Sequence, residues 1–233
     1  MPRLQLQDAT IVFDLDGTLV DTAPDLTNAL NDVLTRRGHA PVPIATIRSS
    51  VGLGAKLMIE DALRRARAED DVETMLAEFL VHYEDNIAAE SRPFPGAVAS
   101  LEALASAGAT LALCTNKREY LTRRLLAALD LRHFFRGVAG RDTFAVSKPH
   151  RGHLTGVIAL AGGNPARAIM VGDSEVDLRA AKGARVPSIL VSFGYGAESL
   201  DELVPDAVID HFDELAAKAG LLLEAPLAGP GHR

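Results

Sequence analysis

The chain has one cysteine, Cys114, no tryptophan, few aromatics (5%) and no apolar run near the ~18 residues that a membrane-crossing helix needs. A single cysteine excludes an internal disulfide and fits a reducing cytoplasm. The opening residues, MPRLQLQDA, lack the apolar stretch of a secretory leader. Basic runs are missing too: 24 Lys and Arg stand against 31 Asp and Glu, a formal charge of −7. That balance, with so few aromatics, is a poor footprint for nucleic acid. Any anionic ligand would need local cations or a metal.

With 48% hydrophobic residues in a chain of 233, there is enough apolar surface to bury a sizeable core, in one domain or one domain carrying an insert. Short β-rich apolar runs alternate with longer helical stretches, the pattern of a parallel α/β sheet. Strands are expected at 10–15, 110–115, 137–140, 168–173 and 188–193, with a weaker one at 207–210. Helices are expected over Val98–Ala107, Tyr120–Leu129 and His153–Ala161, the first closed by Gly108 as a C-terminal cap. The first crossover breaks the rhythm, because 73 residues run from Val20 to Arg92, far more than a βαβ crossover needs. The expected organisation is therefore an α/β core over 1–19 and 93–233 with an inserted α-helical cap over 20–92. Within the insert, AKLMIEDALRRARAEDDVETMLAEFLVHYEDNI reads as nearly continuous helix, and Pro93, Pro95 and Gly96 read as the return hinge. The last dozen residues are expected to fray.

The chemistry gathers where strands end. Asp14 and Asp16 lie two apart in an extended segment, so both should point to one side. Two such carboxylates a few ångströms apart repel by roughly 4 kcal/mol at an effective dielectric of 20. A divalent cation reverses that sign, and oxygen ligands favour Mg²⁺ or Ca²⁺. An EF-hand is excluded, since counting from Asp14 puts Leu19 where its glycine belongs and Asp25 where its glutamate belongs. Thr115-Asn116-Lys117 follows the second strand, Lys148 precedes Pro149, and Gly172-Asp173 ends a buried strand with Asp177 one turn further on. Ligands of open α/β sheets bind at that carboxyl edge. Taken singly, each residue has a plainer reading as an N-cap, a turn or a solvated charge.

Taken together and in this order, DxDGT, Thr, Lys and GDxxxD resemble the haloacid dehalogenase-like phosphohydrolase superfamily, over essentially the whole chain. VGLGAKLMIEDAL, RPFPGA, LALCTNK, SKP, VGDSEVDLRAAKGA and VSFGYG look like its phosphoglycolate phosphatase branch. The resemblance implies a Rossmann-like parallel sheet with a helical cap, a cytoplasmic monomer or homodimer, Mg²⁺ as cofactor and a small phosphorylated metabolite as substrate, with no nucleic-acid or membrane partner. It implies Asp14 as nucleophile, Asp16 as general acid and base, and Asp14, Asp16 (through its main-chain carbonyl) and Asp173 as metal ligands. Thr115, Asn116 and Lys148 would hold the phosphoryl oxygens, and Asp177 would orient its neighbours. A β-phosphoglucomutase-like isomerase or another small-metabolite phosphatase or pyrophosphatase shares these motifs. The motifs touch only phosphoryl and metal, so discrimination falls to the insert, whose SSVGLGAKLMI loop offers one cation, Lys56, for a substrate carboxylate.

Several other features carry less. Cys114 lacks the arginine of a Cys-x5-Arg loop, since Tyr120 stands there, and reads as a core thiol. GLGAKL has leucine where a dinucleotide motif has its third glycine, and no strand precedes it. His150 and His153 read as a solvated helix start rather than a metal site.

Overall fold

The computed structural model describes residues 6–52, 54–196 and 203–224. The chain opens with β1 (Thr10–Phe13), turns into β2 (Val20–Asp21), and runs through four helices: α1 (Ala23–Arg36), α2 (Ile44–Val51), α3 (Ala55–Ala66) and α4 (Val72–Asp85). It returns through β3 (Arg92–Pro93), which pairs antiparallel with β2, Val20 opposite Pro93. From there helix and strand alternate: α5 (Ala97–Ser106), β4 (Thr110–Cys114), α6 (Glu119–Ala128), β5 (Gly137–Ala139), α7 (Arg151–Leu160), β6 (Ala168–Gly172), α8 (Glu175–Ala184), β7 (Ser188–Val191), β8 (Ala207–Ile209) and α9 (Leu215–Glu224). Six strands form one parallel sheet in the order β5-β4-β1-β6-β7-β8.

Alternation in the central strands explains the two covered faces. Ile11 and Phe13 point into an apolar cluster with Leu101, Leu104 and Leu125, while Val12 and Met170 face Leu154, Val157 and Ala181. A parallel sheet covered on both sides buries every strand residue, so these runs are almost uninterruptedly apolar. β1 sits between β4 and β6, with Phe13 in register with Leu113 and Val171. The residues just past these three strands therefore share one edge.

The strands stop one or two residues short of the spans expected from the sequence, because their last residues leave the ladder to face the sheet edge. Only part of the pairing continues there: the Asp14 amide still donates to the Val171 carbonyl at 2.9 Å. Gly108 does close α5, at φ +86°. The long helical run expected in the insert is two helices. α3 ends at Arg67 in the left-handed region (φ +52°), and Asp71 caps α4 by accepting from the Glu73 amide at 3.2 Å. An Asp placed before an apolar helical turn was the readable signal for that break.

The candidate active site

Asp14 ends the central strand, Thr115 follows β4 on one side, and Asp173 follows β6 on the other, so the sheet itself delivers these groups to one edge. All three are buried, as are Lys148 and Asp177. The Lys148 ammonium sits between Asp14 Oδ1 at 2.8 Å and Asp177 Oδ1 at 2.6 Å. Asp177 is held in turn through Oδ2, which accepts from the Ser174 amide at 3.2 Å and its hydroxyl at 2.6 Å, closing a capping box at the start of α8. Asp173 accepts from the Thr18 hydroxyl at 2.9 Å and from the Tyr195 amide at 2.8 Å. Asp14 accepts from the Leu15 amide at 2.7 Å.

One ammonium does not balance three carboxylates. Burial pushes the Asp14 carboxyl up to about 8, reinforced by Asp177 and Asp173 and only partly offset by Lys148. Burial, then Asp177, pushes Asp173 up to about 6. Lys148 goes the other way: burial disfavours its charge, yet Asp14 and Asp177 hold it firmly protonated, above the ordinary lysine range. Asp14, Asp173 and Asp177 each offer an oxygen within 4.8 Å of the others. A crowded, all-oxygen, anionic cluster with two elevated carboxyl pKa values fits a hard divalent cation.

Asp16 stands apart from that cluster. Its carboxylate is gripped by Lys117, whose Nζ lies 2.9 and 3.1 Å from the two oxygens, and by the Thr22 hydroxyl at 2.7 Å. Each aspartate of the DxD pair thus has its own lysine, so the expected repulsion is already met by the protein's cations. Burial lowers the charge preference of Lys117, but Asp16 outweighs it and raises its pKa. Lys117 also lies 4.8 Å over the ring of Tyr83 from α4. Lys117 has no role among the expected site residues; a lysine directly after a strand-end Thr-Asn is the signal that could have found it.

The remaining expected residues are placed as follows. Thr115 is buried, its hydroxyl accepting from the Lys117 amide at 3.2 Å. Asn116 donates to the carbonyls of Lys148 at 3.1 Å and Gly52 at 3.3 Å, while its Oδ1 is buried with no hydrogen-bond partner among the described residues. Lys56 pairs with Glu73, and its side chain is 48% exposed at the mouth of the same cleft. That cleft, about 600 Å³ and open to solvent, lies between α3 and α4 on one side and Asp16, Lys117, Arg118 and Arg141 on the other.

Two side readings resolve differently. Cys114 is buried, and burial pushes its thiol up to about 12, as an inert core thiol requires. His153 is not solvated: it is fully buried, with Nδ1 accepting from the Lys148 amide at 3.0 Å and Nε2 3.0 Å from the Gly140 carbonyl. Only His150, the N-cap of α7, is at the surface. The i, i+3 spacing put both histidines on one helix start but could not show that the 140–148 loop folds over the second.

A family model described as haloacid dehalogenase-like hydrolase matches residues 11–191, most of the chain. The chain belongs to the haloacid dehalogenase-like hydrolase family. Within it the chain is similar to curated relatives named phosphoglycolate phosphatase. One from Mesorhizobium japonicum is 45% identical over 95% of this chain and 98% of that protein. Another from Caulobacter vibrioides is 44% identical over 97% of both. A crystal structure of a predicted phosphoglycolate phosphatase from Haemophilus somnus covers 90% of this chain and 96% of its own, at 27% identity and TM-score 0.82. As a haloacid dehalogenase-like hydrolase, the chain has an α/β core of the Rossmann kind. No described helix is long and apolar enough to cross a membrane.

Proposed function

We propose that this hydrolase is a Mg²⁺-dependent phosphomonoesterase that removes the phosphoryl group of 2-phosphoglycolate through an aspartyl-phosphate on Asp14, working in the reducing cytoplasm. The observation that carries the reading is the separation of the two aspartates. Both are buried, but Asp14 is held against Lys148 at the end of the central strand, while Asp16 lines the cleft against Lys117. A group that is to be phosphorylated belongs at the fixed floor; a group that shuttles protons belongs where alcohol and water arrive.

In the first half-reaction an Asp14 oxygen attacks phosphorus, the P–O bond to the leaving alcohol breaks, and Asp16 gives that oxygen a proton. In the second, Asp16 takes a proton from water as the water oxygen attacks phosphorus, and Asp14 leaves as carboxylate with inorganic phosphate. Thr115, the Asn116 amide and Lys148 would bind the other phosphoryl oxygens, and Asp177 keeps Lys148 in place. Asp14, Asp173 and the main-chain carbonyl of Asp16 would hold Mg²⁺, which when bound supplies the positive charge that lets a carboxylate approach an anionic phosphate. Residues 20–92 would act as a cap that closes over the cleft, the paired β2 and β3 serving as its two-stranded neck and Lys56 lying at its rim.

The substrate rests on relatives 42–47% identical that bear the name phosphoglycolate phosphatase. The test is phosphate release from a panel of small phosphomonoesters with Mg²⁺ and with EDTA. Preferred, Mg²⁺-dependent release from 2-phosphoglycolate supports the proposal. Conversion of a hexose 1-phosphate without phosphate release points to an isomerase, and no turnover of any ester refutes it.

A further inference from the structure

The cleft holds more positive charge than phosphoryl chemistry uses. Lys117 is spent on Asp16 and Lys56 on Glu73. Arg118 and Arg141 line the same cleft, and neither guanidinium has a hydrogen bond or ion pair among the described residues. In a chain of formal charge −7, two guanidiniums left without carboxylates beside a catalytic aspartate call for a ligand.

Their neighbourhood is built. Arg118 follows Lys117 in the loop after β4, and Arg141 follows Gly140 in the loop after β5. The two loops are tied by the Arg141 amide, which donates to the Lys117 carbonyl at 3.0 Å. They also touch so closely at Gly140 that a Cβ there would stand 2.3 Å from the Glu119 amide nitrogen and 2.7 Å from the Lys117 carbonyl. Both arginines therefore reach the cleft from a backbone that Lys117 shares, and Lys117 is itself anchored on Asp16. From the opposite side the α2–α3 loop comes down on Arg141: at Gly54 (φ +97°), a Cβ would stand 3.1 Å from its Nη1. A side chain at 54 would crowd the guanidinium, whereas glycine leaves it room between the two halves of the cleft.

We propose that Arg118 and Arg141 select the substrate by binding its second anionic group, a carboxylate at the end remote from the phosphoryl. This rests on the phosphatase reading and names the part of the molecule that chooses the ester. Arginine suits the task better than lysine, because its planar fork meets a carboxylate with two parallel N–H donors and remains charged at any working pH. Core loops, more than the cap's Lys56, then read the far end.

The test compares 2-phosphoglycolate with ethyl phosphate, an ester of similar size without the carboxylate. For Arg141→Ala and Arg118→Ala, the ratio of kcat/KM on phosphoglycolate to that on ethyl phosphate should fall ~10–100-fold, the worth of a charge-assisted hydrogen bond, and mainly through KM. Arg141→Lys should recover part of the ratio. Calorimetric binding of phosphoglycolate to Asp14→Asn, with and without Arg141→Ala, gives the same comparison without turnover and should show a similar weakening. An unchanged ratio in both alanine variants, with unweakened binding, overturns the proposal even if the enzyme proves an efficient phosphatase. A wild type that hydrolyses neither ester refutes the phosphatase reading instead, and the binding comparison still decides the role of the arginines.

Discussion

The sheet edge and the cleft mouth, a few side chains apart, are built on opposite terms. At the edge Asp14, Asp173, Asp177 and Lys148 are buried and every one has fixed partners. At the mouth Arg118 and Arg141 are exposed and have no ion pair among the described residues, and Lys56 is held by a half-exposed ion pair with Glu73. A buried, prearranged cluster costs stability but loses nothing to reorganisation when charge moves. An exposed, uncommitted one costs little and can answer to whatever a substrate carries. On the proposed reading, phosphoryl transfer belongs to the first and the choice of substrate to the second.

The strongest challenge to that division is Asp14→Asn. It should abolish turnover, because an amide does not accept the phosphoryl group, while leaving the fold intact by circular dichroism. It should also make the metal-free protein more stable. A carboxyl with a native pKa near 8 and an unfolded value of 3.8 binds more protons folded than unfolded between those limits, so stability falls as pH rises through that window. Denaturation in EDTA from pH 4 to 8 should show the wild type losing stability relative to Asp14→Asn, by at most about 1.4 kcal/mol per pH unit. A wild type that stays the more stable across that range would mean the edge is not strained.

Asp16→Asn should keep most metal affinity, its main-chain carbonyl being intact, and lose ~10²–10⁴-fold in rate. Lys117→Ala should cost less, ~10–150-fold, by releasing the Asp16 carboxylate from its position. If Lys117 acts through Asp16, its loss should cost little further rate in the Asp16→Asn background, which an independent structural role would not reproduce. Additive losses in the double variant would detach Lys117 from the chemistry.

His153 lets the sequence and the structure be compared at one residue. Burial, then Lys148, lowers its pKa from 6.5 to about 4. The unfolded state therefore binds more protons between those values, and stability falls as pH drops through them, opposite in sign to Asp14. His153→Gln should flatten the acid limb of a stability–pH curve; an unchanged limb would mean other groups set it.

Why the sequence announced some of this and not the rest follows from range. The strands and the acids that end them are local signals, an apolar run followed by Asp, and Asp14, Thr115 and Asp173 could be placed from them alone. The break between α3 and α4 was also local, at Asp71, but was hidden in a stretch rich in helix formers. Lys117 on Asp16, 101 residues away, and His153 under the 140–148 loop depend on which loops meet, which no periodicity encodes. Tyr195 belongs to the same class. Its FGYG setting was noticed, yet nothing in it foretold a hydroxyl accepting from the amides of Thr22 at 2.9 Å and Ala23 at 3.0 Å, where α1 begins.

The smallest effect is expected at Lys56. As a half-exposed partner of Glu73, it should leave the melting temperature nearly unchanged when replaced by alanine. Its effect on the phosphoglycolate preference should stay below that of Arg141→Ala. A larger loss at Lys56 would return the choice of substrate to the cap.

The most direct test is where the phosphoryl group goes. Rapid-quench mass spectrometry of the protein during Mg²⁺-supported turnover of 2-phosphoglycolate should find one phosphorylated peptide, carrying the group on Asp14, with higher occupancy in Asp16→Asn because its hydrolysis is slowed more than its formation. Turnover with no acyl-phosphate at any time, or a phosphoryl group on another residue, would contradict it.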